Sequence, residues 1–96
     1  MNPSLSNPFI SVVIRSYNRL ECVLELIQHC LKQDYNNFEI VVIDQSKKSH
    51  WQDYKRALSS IDQKIRLIRT KPRGSAAARN LGVFVSNGDV VLLMDD

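Results

Sequence analysis

Short apolar runs alternate along the chain with longer segments whose apolar residues recur at helical spacing. The runs are rich in Ile, Val and Leu and are bounded by turn-forming residues, which is the pattern of strands. They predict four strands, at residues 9–15, 38–43, 65–69 and 90–94. The helical segments between them begin near residues 18, 51 and 75. Strands separated by helices predict βαβ units and a mostly parallel sheet.

The first and third predicted helices carry the clearest local signals. In the first, we expect Asn18 to be the N-cap, and Glu21 three residues later would complete a capping box. In the third, we expect Ser75 to cap the helix. The apolar face of the first helix is Leu20, Val23, Leu24, Ile27 and Leu31, and that of the third is Ala78, Leu81, Gly82 and Val85.

The fold expected from this order is a Rossmann-like, three-layer α/β/α domain. Right-handed crossovers make 3-2-1-4 the simplest strand order for a four-stranded, mostly parallel sheet. The alternation within the third strand predicts one less buried face, as at a sheet edge. We expect residues 1–8 to be an N-terminal tail and residues 9–96 a single domain. The polar residues that end three of the strands would then share one rim of the sheet, where open α/β folds bind ligands.

Composition and charge are typical of a small globular domain. Of the 96 residues, 44% are hydrophobic and 24% are charged, which argues against disorder. The net charge is only +3, and the basic residues cluster locally at Arg66, Arg69, Lys71, Arg73 and Arg79. This cluster suits an anionic small molecule better than a nucleic acid, which usually needs a broader basic face. We therefore expect no nucleic-acid partner.

The cysteines and the N-terminus indicate a cytoplasmic protein. Cys22 and Cys30 lie in one predicted helix with their Cα atoms about 12 Å apart, whereas a disulfide requires roughly 7 Å. Two unpaired thiols are typical of a reducing compartment. Residues 1–8 do not form a signal peptide, and no apolar stretch approaches the ~20 residues that span a bilayer. For a longer parent protein, the inner face of the membrane is a second expected location.

Two adjacent acids, Asp95 and Asp96, follow the apolar run 90–94. Mg²⁺ is usually held by one or two carboxylates together with substrate phosphates, so the pair is a candidate metal site. The alternative is a solvated turn, in which acids are also common. The polar ends of two earlier strands at the same rim favour the metal site.

Four segments in this order resemble the nucleotide-binding half of glycosyltransferase family 2, the inverting enzymes of the GT-A fold. They are SVVIRSYNR at 11–19, DYNNFEIVVID at 34–44, RGSAAARNLG at 73–82 and NGDVVLLMDD at 87–96. The resemblance extends over residues 9–96. It implies a truncated GT-A fold that ends at the family's metal-binding DXD element.

For the first two segments the resemblance implies contacts with the nucleoside. The first contributes Arg15, Ser16, Tyr17 and Asn18. Tyr17 would pack against the base or shape its pocket, and Asp44 lies where the family uses acids to hydrogen-bond the base and ribose. Gln45 stands where the commoner pattern has a second acid, which leaves the preferred base open.

For the last two segments the resemblance implies contacts with the diphosphate and the metal. Arg73 and Gly74 correspond to the loop before the third helix, and Arg79 to an arginine one turn inside it, where phosphate is favoured. The alternative role for Arg79 is an ion pair or a carbonyl cap that holds the loop. Asp95 and Asp96 correspond to the first part of the DXD element, in which one acid contacts ribose and another binds Mg²⁺ or Mn²⁺.

The implied activity is transfer of a sugar from a nucleotide-diphosphate donor to a hydroxyl of a saccharide or other acceptor, in glycan or polysaccharide synthesis. The general base of inverting transfer is expected beyond Asp96, so we expect the 96-residue chain alone to be inactive. A non-catalytic nucleotide-binding module of the same fold is the alternative. A dinucleotide oxidoreductase is disfavoured because no Gly-x-Gly-x-x-Gly follows the first strand. The outer edge of the fourth strand predicts self-association, most simply as a dimer.

Overall fold

The computed structural model describes residues 7–62, 64–71 and 74–95, and in these ranges four strands alternate with three helices. The strands are β1 (Ile10–Ser16), β2 (Phe38–Asp44), β3 (Ile65–Arg69) and β4 (Val90–Asp95). The helices are α1 (Leu20–Leu31), α2 (Trp51–Ser59) and α3 (Ser75–Val85), and a 3₁₀ turn at Lys48–His50 precedes α2. Each predicted strand is confirmed to within one residue. Of the predicted tail at 1–8, residues 1–6 lie outside the described residues.

The strands form one parallel sheet in the order β3-β2-β1-β4, which confirms the predicted topology. At the carboxyl ends of the strands, the register sets Ser16 beside Asp44 and Arg15 beside Asp95. The register of β2 with β3 sets Asp44 beside Arg69 as well. The ends of all four strands therefore meet along one edge, called the carboxyl rim below.

Helices cover both faces of the sheet, which confirms the three layers. On one face, α1 and α2 pack on a core of Val12, Ile14, Val23, Ile27, Phe38, Ile40, Val42, Tyr54 and Leu58. On the other face, α3 packs on a smaller core of Val13, Val41, Ile43 and Ala78. Gly82 allows α3 to approach β1 closely, since a Cβ there would lie 2.2 Å from Cγ1 of Val13. Within the described ranges no helix has the length and apolar character needed to cross a membrane.

The start of α1 differs from the prediction. The helix begins at Leu20 with Arg19 as its N-cap, and no side chain caps it. Asn18 instead adopts a left-handed backbone with φ of 54°, which asparagine tolerates better than most residues. Its side-chain oxygen accepts a hydrogen bond from the Lys47 amide, in the loop after β2. The predicted capping box of Asn18 and Glu21 is therefore wrong.

The start of α3 also differs from the prediction. Ser75 is the first helical residue and Gly74 is the N-cap, so Ser75 was wrong as the capping residue. Gly74 has φ of 91°, a conformation that glycine adopts without strain. A Cβ at this position would meet no atom within 4 Å, so the backbone conformation, and not crowding, favours glycine here.

A polar network ties the connection between α3 and β4 to the amino end of the sheet. Glu39 is buried, and its Oε2 accepts hydrogen bonds from Ser11 Oγ at 2.6 Å and from the Asn87 amide at 2.8 Å. Arg66 Nη2 lies 3.1 Å from Oε1 of Glu39 and also donates to the carbonyl of Val85. Burial raises the pKa of the Glu39 carboxyl, but the hydrogen bonds from Ser11 and Asn87 and the charge of Arg66 outweigh it and hold the pKa below its ordinary value. The network thus fixes the point from which β4 starts.

The two edge strands are buried to different degrees. β3 lies at an edge as predicted, but all five of its residues are half-buried, so the expected contrast between its two faces is wrong. In β4 only Val91 is half-buried, whereas Val90, Leu92, Leu93 and Met94 are exposed. The β4 side of the sheet therefore presents apolar side chains to solvent.

Candidate functional site

The carboxyl rim brings together polar residues from four elements. Arg15 and Ser16 end β1, Asp44 ends β2 and Asp95 ends β4. Arg79 reaches the same rim from α3. Because adjacent strands lie about 4.8 Å apart, four strand ends span about 14 Å. The rim has an Asp44 end beside β3 and an Asp95 end beside α3.

Asp44 is fully buried, and both of its carboxylate oxygens have partners in the protein. Oδ1 accepts a hydrogen bond from the Ser46 amide at 2.8 Å, and Oδ2 lies 3.0 Å from Nη2 of Arg69. The same Arg69 nitrogen donates to the carbonyl of Trp51, and the guanidinium lies over the Trp51 indole ring. A carboxylate has about four acceptor positions, so these contacts orient Asp44 without using all of them.

The role of Arg69 was not predicted from the sequence, where this residue belongs only to a loose basic cluster. The signal that could have found it is the parallel register of β2 and β3, which sets the last residue of each strand side by side. Arg69 is thus the residue that neutralises Asp44.

A cavity of about 530 Å³ opens at the Asp44 end, between the loops that follow β2 and β3. It is lined by Ser46, Lys47, Lys48, Trp51, Arg69, Thr70 and Lys71. Four of these side chains are basic, and the Trp51 side chain supplies an aromatic ring. Basic side chains attract anions, and an aromatic ring provides a surface on which a nucleobase can stack. The cavity therefore has the chemistry to accept an anionic ligand with a heterocyclic ring.

Ser16 holds the turn between β1 and α1 in place. It is fully buried, and its hydroxyl shares a hydrogen bond of 2.5 Å with the hydroxyl of Tyr54 in α2. That Tyr54 hydroxyl also accepts a hydrogen bond from the Arg19 amide at 3.0 Å. The Ser16 hydroxyl therefore points into the protein interior, and no local pattern in the sequence indicates Tyr54 as its partner.

Tyr17 and Asn18 follow at the rim, in the turn that the Tyr54 contact holds. The Tyr17 side chain is 40% exposed, as a residue that packs on a ligand would need to be. The Asn18 amide donates to Oγ of Ser46 at 2.7 Å, and its side chain accepts from the Lys47 amide at 2.9 Å. Asn18 thus joins the turn after β1 to the loop after β2, across the middle of the rim.

Gln45 joins the rim to the loop before α3. It is buried, its own amide donates to the carbonyl of Ser16 at 2.8 Å, and its side-chain nitrogen lies 3.3 Å from the carbonyl oxygen of Gly74. A longer contact of 3.5 Å reaches the carbonyl of Lys71. Its side-chain donor is thus directed at the protein, and a role in reading the base stays a prediction.

At the Asp95 end, one carboxylate lies between two guanidinium groups. Arg15 Nε is 3.4 Å from Oδ1 of Asp95, and Arg79 Nη2 is 3.6 Å from Oδ2. The side chains are 25% exposed for Arg15, 43% for Arg79 and 50% for Asp95, so a ligand can reach all three. Arg79 thus forms an ion pair, but with Asp95 of β4, so the alternative role of holding the loop before α3 stays a prediction.

Two predicted site residues, Arg73 and Asp96, lie outside the described residues. Gly74, which follows Arg73, is exposed at the N-terminus of α3. The first amides of a helix have no partners within it and favour an anion there. The described part of the predicted phosphate loop is therefore located where an anion would be stabilised.

The carboxylate at the Asp95 end is the group there that could contribute to holding a divalent cation. Within the described ranges no group of three or more His, Cys, Asp or Glu side chains could hold a metal by itself. Mg²⁺, however, is usually held by one or two carboxylates, with substrate phosphates and water completing the shell. The half-exposed carboxylate of Asp95 meets that requirement.

A parallel sheet of this order between two helical layers, with a polar carboxyl rim, defines a Rossmann-like α/β domain of the GT-A type. The chain belongs to glycosyl transferase family 2, because the model of that family matches residues 11–96. The resemblance derived from the sequence is thereby confirmed.

Curated and solved relatives agree with this assignment. Glycosyltransferase GlyG of Streptococcus pneumoniae serotype 4 is 32% identical over 87 residues, which cover 90% of this chain and 29% of GlyG. The mannosyltransferase PcManGT of Pyrobaculum calidifontis, solved with GDP-mannose and Mn²⁺, matches with a TM-score of 0.80 over 93% of this chain and 27% of that one. At 24% identity, this likeness shows the fold alone.

A second solved structure, residues 1–349 of TarS from S. aureus in complex with UDP, matches with a TM-score of 0.65 and 26% identity. The match covers 90% of this chain and 26% of the TarS chain. The chain thus spans between a quarter and a third of the length of these relatives.

Proposed function

We propose that this chain is the nucleotide-sugar-binding half of a family 2 glycosyltransferase, with the nucleoside diphosphate of the donor lying along the carboxyl rim. The observation that carries the proposal is the convergence of Arg15, Arg79 and Asp95 from three elements at one end of the rim. Asp44 and a basic cavity with an aromatic ring lie towards the other end. A nucleoside diphosphate has the same arrangement of groups as the rim, with a heterocycle at one end and charged phosphates at the other.

The nucleoside is proposed to bind at the Asp44 end. Asp44, oriented by Arg69 and fully buried in the ligand-free chain, would accept hydrogen bonds from the base or ribose once the loops around it move aside. Tyr17 or Trp51 would pack against the ring. A second carboxylate at position 45 would accept hydrogen bonds and so favour a base with a donor group. Gln45 instead has an amide, which can both donate and accept. The UDP bound to TarS and the GDP-mannose bound to PcManGT support a donor of this class, and leave the base open.

The diphosphate is proposed to bind at the Asp95 end. Arg79, Arg15 and the N-terminus of α3 would contact its oxygens, together with Gly74 and Arg73 of the loop. Asp95 and Asp96 would hold Mg²⁺ or Mn²⁺. The metal, when bound, supplies positive charge that stabilises the leaving diphosphate.

The proposed reaction is transfer of the sugar, with inversion, to a hydroxyl of a saccharide or other acceptor in glycan or polysaccharide synthesis. Inversion needs a base on the face opposite the leaving diphosphate. Asp44 and Asp95 both pair with arginine, so neither is suited to that task. We therefore propose that the base lies beyond Asp96 in a longer enzyme, located in the cytoplasm or at the inner face of the membrane, and that the 96-residue chain alone is inactive.

A non-catalytic nucleotide-binding module is the second candidate, and the same arginine pairing favours it. Such a module would bind the nucleotide through the same rim without transferring a sugar. The two candidates share the binding step, so the first experiment addresses binding.

Calorimetric titration with UDP, GDP and dTDP, each with and without Mn²⁺ or Mg²⁺, tests the proposal. We expect at least one nucleotide to bind, more tightly with metal, and Arg79→Gln to weaken that binding. Arg56→Gln is the matched control, because Arg56 is an exposed arginine on α2. Heats identical to buffer for all three nucleotides would overturn the proposal.

A further inference from the structure

We infer that Asp95 holds Arg15 and Arg79 in the ligand-free chain, in the place of a metal ion, and that metal binding releases both arginines to the diphosphate. The inference rests on the proposed function of the carboxyl rim. It concerns how binding of the metal ion and binding of the diphosphate affect each other at the carboxyl rim. The identity of the site residues does not by itself specify this coupling.

The geometry gives each oxygen of Asp95 its own guanidinium. Arg15 approaches Oδ1 from the neighbouring strand β1, and Arg79 approaches Oδ2 from α3. One guanidinium from β1 and one from α3 therefore meet the carboxylate that ends β4. A cation that binds Asp95 meets the positive charge of these two groups, and an incoming diphosphate needs the same groups.

These ion pairs are long and partly exposed, which is what a displaceable contact requires. Their N–O distances are 3.4 and 3.6 Å, and the Asp95 side chain is 50% exposed. The Glu39–Arg66 pair at the amino end differs, since its distance is 3.1 Å and the Glu39 side chain is only 9% exposed. Exposed pairs of the first kind contribute little to stability, so they can open without loss of the fold.

The charges predict that cation and anion bind cooperatively. Without metal, the negative charge of Asp95 repels a diphosphate and occupies the arginines. Without diphosphate, the two arginines repel a metal ion from Asp95. Each ligand removes the obstacle to the other, and such coupling must be equal in both directions.

The test uses inorganic pyrophosphate and Mn²⁺, each alone and together, as probes of the 96-residue chain. For wild type, we expect weak binding of either alone and tighter binding of both. Asp95→Asn should bind pyrophosphate alone about two- to fivefold more tightly, a change matching the loss of an exposed ion pair, and should lose much of the Mn²⁺ effect. The double variant Arg15→Gln, Arg79→Gln should bind Mn²⁺ alone more tightly by a similar factor.

Matched controls separate this local effect from a change in net charge. Glu25→Gln removes an exposed acid from α1, and Arg56→Gln removes an exposed arginine from α2; neither should change either affinity. Thermal melts followed by circular dichroism establish that each variant is folded. The Asp95→Asn variant and the double arginine variant test the inference independently, so either one suffices if the other fails to fold.

The outcomes distinguish the inference from the proposed function. If wild type binds pyrophosphate and Mn²⁺ together but neither variant gains affinity for the single ligand, the inference is wrong and the proposed function stands. If wild type binds no pyrophosphate with or without Mn²⁺, the diphosphate site itself is wrong. If the control variants gain as much affinity as the site variants, the effect arises from net charge alone and the inference is wrong.

Discussion

A carboxylate loses its hydration when it is buried, and Asp44 regains stabilisation from one ion pair and one backbone amide. Arg69 supplies the charge, and the Ser46 amide supplies the hydrogen bond. Arg69 is itself held by the carbonyl and the ring of Trp51. The carboxylate is therefore oriented at the rim before any ligand arrives.

We predict that Asp44→Asn weakens nucleotide binding by about 1–3 kcal/mol, the usual loss for a hydrogen bond to a charged group. It should lower the melting temperature without unfolding the chain, because Arg69 loses its charged partner. Asparagine keeps an oxygen for the Ser46 amide but loses the charge that faces Arg69. Calorimetry with the best-binding nucleoside diphosphate measures the loss, and thermal melting reports the fold. Asp53→Asn is the matched control, because it removes an exposed acid from the first turn of α2. An unfolded Asp44→Asn variant would make Asp44 a structural cap and contradict its assigned role.

At the residue scale, the sequence predicted the residues that end strands and missed their partners. Arg15, Ser16, Asp44 and Asp95 share the rim because parallel strands align their carboxyl ends. Arg69 was missed because its partner is set by register, which the local pattern does not contain. Tyr54 was missed because it appears only as an apolar position on a helix, while its hydroxyl reaches Ser16 across the layer.

At the element scale, strands and helices were predictable because periodicity and β-branched composition are local properties. The helix starts were not, because an N-cap depends on backbone torsion angles set by distant contacts. Asn18 is drawn away from α1 by Ser46 and Lys47 of another loop. The strand order followed from handedness and short connections, and so did the location of the rim.

The Glu39 network, which joins β1, β2 and β3 to the connection between α3 and β4, predicts a loss of stability in acid. The folded-state pKa of Glu39 is lowered, so the folded chain binds fewer protons than the unfolded chain near the ordinary value of 4.5. Its stabilisation is therefore complete above about pH 5 and is lost as the pH falls through the folded-state value. Denaturant titrations across about pH 6 to pH 3 should show Glu39→Gln less stable than wild type, with the difference shrinking as the pH falls.

The control for this prediction is Glu25→Gln, which removes an exposed glutamate from α1. It should leave the pH dependence of the free energy of unfolding close to that of wild type. A Glu39→Gln difference that stays constant across the pH range would mean that the Glu39 charge contributes nothing and that only its shape matters.

At the scale of the whole molecule, the β4 side of the sheet carries several of the exposed large apolar side chains of the described residues. β4 pairs with β1 along one edge, and four of its apolar residues are exposed. An apolar groove of about 250 Å³ lies between α1 and β4, where Leu92 and Met94 face Cys30, a free thiol whose pKa is raised by burial. On α3, Phe84 is 86% exposed.

We predict that the 96-residue chain self-associates, most simply as a two-fold dimer through the β4 edge or the adjoining apolar surface. The outer edge of β4 offers backbone donors and acceptors in an apolar run without Pro or Lys, which favours strand addition. Exposed apolar surface on both faces of β4 would be buried in the same contact. In a two-fold dimer the β4 edge of each copy pairs with that of the other, so the backbone groups of both edges are hydrogen-bonded. Light scattering across a concentration series measures the association.

Two variants locate the contact within this surface. Leu92→Lys places a charge on β4 and should shift the dimer towards monomer, whereas Phe84→Ser should do so only if the contact extends over α3. Gln28→Lys adds the same charge at an exposed position of α1 and should leave association unchanged. A loss with Leu92→Lys alone therefore assigns the interface to β4 and the groove beside it, and not to α3. A strictly monomeric wild type at high concentration would contradict the prediction, and would mean that the twist or side chains of β4 already prevent another strand from pairing with it.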